Sequence, residues 1–167
     1  MSDDQQTTTK SKAKIDTPSE REIVIERVFD ASRERVWKAF TDPALIAQWW
    51  GRQSTSTTVE QQDLTPGGAW RFVEHNQDGS QLGFGGIYRE VVEPERLVYT
   101  FEWDGMPGHM LVDTATFEDL GERTRVTVHS LFDSSEERDW MLSVGMEIGL
   151  NESYQALDAL LAQPSSD

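Results

Sequence analysis

Cysteine is absent from the 167 residues. This absence excludes disulfide bonds, thiolate nucleophiles and cysteine-based metal sites. Long apolar runs are also absent: no stretch approaches the roughly 18 consecutive apolar residues of a membrane-spanning helix, and no apolar segment of a secretion signal is found. We therefore expect a cytoplasmic protein with no membrane partner.

Lysine is scarce, and three of the four lysines lie within the first 14 residues. The formal net charge is −15. Such an acidic surface repels phosphate groups, so nucleic acids and anionic membranes are unfavourable partners. An acidic, lysine-poor surface is one adaptation to a high-salt cytoplasm, where salt screens the repulsion between like charges. An acidic protein from an ordinary cytoplasm would look similar, so both kinds of host stay open.

The chain length suits one domain with one core. Residues 1–20 lack apolar periodicity and are rich in Gln, Thr, Ser and Asp. They are predicted to form a disordered tail. The predicted domain covers residues 21–163, and residues 164–167 are predicted to be a short disordered end.

Two short helices meet within residues 36–51, VWKAFTDPALIAQWWG. Asp42 can cap a helix whose first residue is Pro43, where a missing N–H does no harm. Gly51 can take the positive φ that ends this helix. Helices this short are not stable alone and must pack on another element.

That element is predicted to be an antiparallel sheet. Residues 22–29 form an opening strand, and six strand-like segments joined by short turns follow the two helices. Apolar residues alternate with others along residues 97–103. Gly83, Gly85 and Gly86 are predicted to allow strong curvature or a bulge. A helix over residues 135–162 completes an α+β fold.

Four segments carry a family resemblance: VWKAFTDPALIAQWWG, Pro66-Gly67-Gly68 with Trp70 and Phe72, VVEPERLVYTFEW, and GMEIGLNESYQALDALL. Together they resemble the START-like (SRPBCC) superfamily, and most closely its branch similar to the C-terminal domain of activators of heat-shock protein 90 ATPase. The resemblance implies a helix-grip fold, with a curved antiparallel sheet of about seven strands wrapped around a long C-terminal helix.

A cavity between this helix and the sheet is the predicted functional site. Aromatic residues exceed what a minimal core needs, and we expect some of them to line a pocket for a hydrophobic or aromatic small molecule. On one continuous helix, Ser143 and Glu147 would face this pocket. The predicted ligand-binding residues are Trp49, Trp70, Phe72, Phe84, Tyr99, Phe101, Trp103, Trp140, Ser143 and Glu147.

Three functions stay open at this stage. The first is ligand binding without catalysis, and no cofactor is expected. The second is an enzyme similar to polyketide cyclases and dehydratases of the superfamily, with Glu147 or Tyr99 as the acid–base group. The third, implied by the branch name, is a module that regulates a chaperone ATPase by surface contact.

The remaining expectations concern metals and assembly. The three histidines, His75, His109 and His129, show no ligand spacing, so no metal site is predicted. A homodimer is consistent with Met141 and Ile148, which the helical wheel places on the outer face of the last helix.

Overall fold

The computed structural model describes residues 12–106 and 108–164. Eight antiparallel strands form one sheet in the order β1-β2-β8-β7-β6-β5-β4-β3. The α+β class and the curved antiparallel sheet predicted from the sequence are confirmed. The elements are β1 (Lys14–Asp16), β2 (Glu22–Phe29), α1 (Arg33–Thr41), α2 (Pro43–Trp49), β3 (Ser56–Gln62), β4 (Ala69–His75), β5 (Gln81–Val92), β6 (Arg96–Trp103), β7 (Met110–Asp119), β8 (Thr124–Leu131), α3 (Ser135–Ser143) and α4 (Met146–Ala162).

The two short helices begin at side-chain caps. Ser32 precedes α1 and accepts a hydrogen bond from the Arg35 N–H at 3.4 Å. Asp42 precedes α2 and accepts one from the Ala44 N–H at 2.9 Å, while Pro43 occupies the first turn. These bonds satisfy donors that the first turn of a helix leaves without a partner, so the two helices meet at Asp42.

Strand β1 lies within the segment predicted to be a disordered tail. Its three residues pair with Val24, Ile25 and Glu26 of β2. The side chain of Ile15 packs against the core, and the Ala13 N–H donates to Asn151 Oδ1 at 3.1 Å. The prediction of disorder is therefore wrong for residues 14–16, and residues 1–11 lie outside the described residues.

The predicted single C-terminal helix is in fact two helices. Gly145 separates α3 from α4 with a φ of 82°, a left-handed conformation that suits glycine. A helical wheel drawn through this point loses its phase, because the direction of the chain changes there. This break decides where several predicted site residues lie.

The core lies between the concave face of the sheet and helices α1, α2 and α4. Phe29, Val36, Ile46 and Leu157 are at most 1% exposed. The Phe29 and Tyr154 rings meet edge to face with centroids 5.1 Å apart. Strand β2 and helix α4 are thereby packed together.

The glycines of β5 allow close approach of the backbone. A Cβ at Gly86 would lie 1.9 Å from the Thr100 carbonyl oxygen on β6, so only glycine fits there. The β5–β6 register shifts between Tyr88 and Glu90, beyond the three glycines, whose own pairing with β4 is regular. A bulge is therefore present on β5, but not at the glycines.

Candidate functional site

A cavity of about 460 Å³ lies between the concave face of the sheet and the segment formed by α2, α3 and α4. Most of its wall is apolar. Six predicted residues line it: Trp49, Phe84, Tyr99, Phe101, Trp103 and Trp140.

Two predicted aromatic residues lie behind this wall. Trp70 and Phe72 are buried, at 4% and 6% exposed, and do not line the cavity. The Trp70 ring packs against Phe101 with centroids 5.5 Å apart, and its Nε1–H donates to the Thr100 carbonyl at 3.1 Å. Trp70 therefore supports a lining residue and does not itself face the cavity.

Ser143 and Glu147 were placed in the cavity by the sequence argument, and this prediction is wrong. Both are exposed and neither lines the cavity. The Ser143 hydroxyl donates to the Trp140 carbonyl within its own helix at 2.7 Å. Glu147 lies in the first turn of α4, where a negative charge is favourable. The break at Gly145 is the reason, because it turns the two positions out of the phase of a continuous helix.

Met141 was also misplaced, for the same reason. It was predicted on the outer face of the last helix with Ile148, but it lines the cavity. Ile148 is 68% exposed and does lie on the surface. The two residues therefore do not share a face.

The polar part of the wall is a row of residues that crosses three strands. Asp113 of β7 pairs in register with Tyr99 of β6 and with Ser130 of β8. All three side chains line the cavity. The Ser130 hydroxyl donates to Asp113 Oδ1 at 2.5 Å, and Tyr99 is also hydrogen bonded to this carboxyl group.

Burial raises the pKa of Asp113 from 3.8 to about 6, because a charged carboxylate is poorly solvated in this apolar wall. The hydrogen bonds from Ser130 and Tyr99 and the charge of His129 act in the opposite direction. Burial and the negative charge of Asp113 together raise the pKa of Tyr99 well above its ordinary range. The pKa of Tyr154 is raised by the same two causes. At neutral pH both tyrosines are uncharged and can donate a hydrogen bond.

The cavity reaches solvent beside Arg52 and Val144. Both residues line it, and both are exposed. The loop that carries Arg52 is held by Ser153 of α4, whose hydroxyl accepts from the Gly51 N–H at 3.0 Å and donates to the Gly51 carbonyl at 2.5 Å. Buried Glu74 accepts from the Arg52 N–H at 3.0 Å. These bonds fix one side of the opening to both a helix and the sheet.

A pair of tryptophans forms the wall beside α3. The rings of Trp103 and Trp140 stack with centroids 5.0 Å apart and an interplanar angle of 25°. The Trp103 Nε1–H is shielded from solvent and has no acceptor within the described part of the chain. This wall therefore offers flat apolar surface and one unused donor.

Among the lining residues that were not predicted from the sequence are three polar ones, Asp113, Ser130 and Tyr154. A signal for Asp113 was present: it alternates in phase with Leu111, Ala115 and Phe117, so the period of two places a carboxylate on the core face of β7. Tyr154 lines the cavity from α4. Ser130 is in phase with Val126 and Val128 on β8.

Residues 12–106 and 108–164 contain neither a cluster of metal ligands nor a membrane-spanning helix. No group of three or more acidic or histidine side chains converges as a metal site requires. No helix in these ranges is long and apolar enough to cross a membrane.

Comparisons with known proteins give a family model and solved structures. The model described as activator of Hsp90 ATPase homolog 1-like protein matches residues 30–162. A crystal structure from Rhodobacter sphaeroides is 25% identical and covers 90% of this chain and 98% of its own, with a TM-score of 0.85. A solution structure from Arthrobacter aurescens is 28% identical, covers 91% and 92%, and has a TM-score of 0.82. CalU16 from Micromonospora echinospora, 22% identical with coverage of 90% and 83% and a TM-score of 0.59, shares the fold. No curated protein matches this chain.

Proposed function

Because this chain belongs to the family of activator of Hsp90 ATPase homolog 1-like proteins and its helix-grip fold encloses a large apolar cavity, we propose that it binds a hydrophobic or aromatic small molecule. The observation that carries the proposal is the cavity itself. Its volume of about 460 Å³ lies within the range of roughly 300–1,000 Å³ found for small-molecule sites. The family description names no ligand, so the proposal rests on this chain's own residues.

The composition of the wall supports an aromatic or otherwise flat ligand. Phe84, Phe101 and Trp103 supply ring faces and edges from neighbouring strands, and Trp140 closes the same region from α3. Burying apolar surface against these rings is worth about 25 cal/mol per Å² of ligand area removed from water. The few polar groups in the wall then orient the ligand.

Binding without chemistry is the form of the function that we propose. Glu147, the carboxyl group that the enzyme alternative used, is exposed on α4. Tyr99 has a pKa well above its ordinary range. It therefore holds its proton at neutral pH and serves as a hydrogen-bond donor to a ligand or to Asp113, not as a base.

A substitution that fills part of the cavity tests this proposal. Leu111 lines the cavity from β7, and Leu111→Trp would fill part of the space. The matched control is Val112→Trp, because the adjacent residue of a strand points to the opposite face of the sheet. The probe is prodan, a neutral naphthalene dye whose fluorescence shifts to the blue in an apolar site.

We expect wild type and Val112→Trp to bind one prodan per chain, with affinities within about threefold. Leu111→Trp should weaken binding at least tenfold, and far-ultraviolet circular dichroism should show that both variants are folded. Absence of saturable binding to wild type, or equal weakening by the two variants, would contradict a ligand site in this cavity.

A further inference from the structure

We propose that the ligand of this cavity carries a protonated amine, and that the amine forms an ion pair with Asp113 inside the wall. This inference rests on the proposed function, since it specifies the chemical class of the ligand for the same cavity. It follows from the balance of charge in the wall and from the arrangement of acceptors around one carboxylate.

The wall carries one negative charge that the described residues do not neutralise. Arg52, Glu74 and Asp113 are the lining residues with a basic or carboxyl side chain. Arg52 and Glu74 form an ion pair at 3.5 Å. Asp113 is only 8% exposed. Within the described ranges no basic side chain lies at ion-pair distance from its carboxyl group. A buried charge without a counter-ion is costly, so a cationic ligand would remove a cost that the free protein bears.

Two other basic side chains, whose charges act on Asp113 or on Tyr154, already have carboxylate partners. The Arg27 guanidinium forms two hydrogen bonds to the Asp158 carboxylate, at 2.7 and 2.5 Å. His129 lies on the opposite face of β8 from Ser130 and pairs with Glu22. Neither can turn toward Asp113 without losing its own carboxylate partner.

The Asp113 carboxylate also has acceptor sites left for a ligand. A carboxylate offers about four lone-pair sites, and Ser130 and Tyr99 account for two of them. An ammonium group brings several N–H donors and a charge, and hydrogen bonds between ionised partners are roughly twice as strong as neutral ones. The ring faces of neighbouring aromatic residues favour a cation as well. A carboxylate ligand would instead meet repulsion.

The groups that face Asp113 determine how binding depends on pH. They are Tyr99 from β6, Ser130 from β8 and Tyr154 from α4, and His129 acts through its charge. The two tyrosines stay neutral, Ser130 does not titrate, and His129 lies on the opposite face of β8 with Glu22 as its partner. Among these groups Asp113 is therefore the one whose charge a ligand in the cavity meets directly below neutral pH. Protonating Asp113 removes the counter-ion, and the affinity for an amine should fall as the pH drops through about 6.

Three probes with the same apolar body test this inference by isothermal titration calorimetry: 2-naphthylmethylamine, 2-naphthalenemethanol and 2-naphthoic acid. At pH 7.5 we expect wild type to bind the amine at least tenfold more tightly than the alcohol, and the acid most weakly. Asp113→Asn should abolish the preference for the amine and leave the alcohol within about threefold. The control Asp30→Asn, at an exposed aspartate, should behave like wild type.

A wild-type titration at pH 5 gives a second test that does not depend on the folding of the Asp113 variant. There the preference for the amine over the alcohol should shrink at least threefold. If wild type binds all three probes equally at pH 7.5 and Leu111→Trp binds none of them, the proposal of an amine ligand is overturned. The cavity then still stands as a ligand site. If neither prodan nor any naphthyl probe binds wild type, the proposed function itself fails.

Discussion

Removing the charge of Asp113 should change how the stability of the protein depends on pH. Asp113 is 8% exposed, and its pKa is raised from 3.8 in an unfolded chain to about 6 in the folded protein. The folded state therefore binds this proton more tightly than the unfolded state. A raised carboxyl pKa contributes stability below about pH 4, and this contribution is lost as the pH rises to about 6.

The magnitude follows from the two pKa values. Each tenfold difference in proton affinity between the folded and unfolded states corresponds to about 1.4 kcal/mol. The ionised Asp113 therefore lowers the free energy of unfolding by about 3 kcal/mol above pH 6, relative to the protonated form. Asparagine has nearly the same shape and no charge, so Asp113→Asn removes this dependence.

Urea unfolding followed by tryptophan fluorescence, at intervals from pH 4 to pH 7.5, measures the effect. The free energy of unfolding of Asp113→Asn minus that of wild type should rise by about 2–3 kcal/mol across this range, since a small part of the effect is already present at pH 4. Taking the difference cancels the other carboxyl groups, such as Asp104, whose pKa is lowered by Arg71. The same difference for Val112→Trp, which changes no ionisable group, should stay flat. A flat difference for Asp113→Asn would refute the assignment of a buried, poorly solvated charge.

Four other substitutions probe packing, and urea unfolding measures each of them. Gly86→Ala should lower the free energy of unfolding by about 1–3 kcal/mol, because the added Cβ would clash with a carbonyl of β6. Gly149→Ala, inside α4, adds a Cβ that makes only ordinary van der Waals contact and should raise the free energy of unfolding by up to about 1 kcal/mol. Changes of the same sign for both variants would contradict the close approach at Gly86. Leu157→Ala removes a side chain that is 0% exposed and should cost about 2–5 kcal/mol, and a cost under 1 kcal/mol would argue against its place in the core. Ser153→Ala removes both hydrogen bonds to the loop after α2 and should cost about 1–3 kcal/mol; an unchanged midpoint would mean that this contact does not hold the loop.

Local signals in the sequence predicted most of the fold. The cap at Asp42 and the proline after it place the start of α2, and the strand predicted at residues 22–29 has the same bounds in the structure. These predictions depend on neighbours in sequence, where capping and the period of two act directly. Strand β1 had no such signal, because three residues are too few to show a period and the strand exists through its partner β2.

The site was harder to predict because the direction of its side chains depends on where the C-terminal helix is interrupted. Glu147 and Ser143 were assigned to the cavity by extending one helical wheel through Gly145, and a glycine there was a reason to restart the count. Asp113 was missed although its alternation with Leu111 and Ala115 was visible. Tyr99, Asp113 and Ser130 meet because β6, β7 and β8 are neighbours in the sheet and pair in this register. The sequence of any one strand does not specify its partner or its register.

The pairing of β2 with β8 has a consequence for the order in which the chain can fold. Glu22 pairs with Leu131, and Phe29 pairs with Thr124. The first long strand of the domain, β2, therefore pairs along its whole length with the last strand, β8. Contacts so distant in sequence are slow to form because a long loop must close first. During synthesis, the antiparallel strands β3 to β7 can pair with their neighbours as they emerge. The apolar face of β2, with Ile23, Ile25 and Phe29, must wait until β8 has been made, and until then it is exposed to chaperones or to other nascent chains.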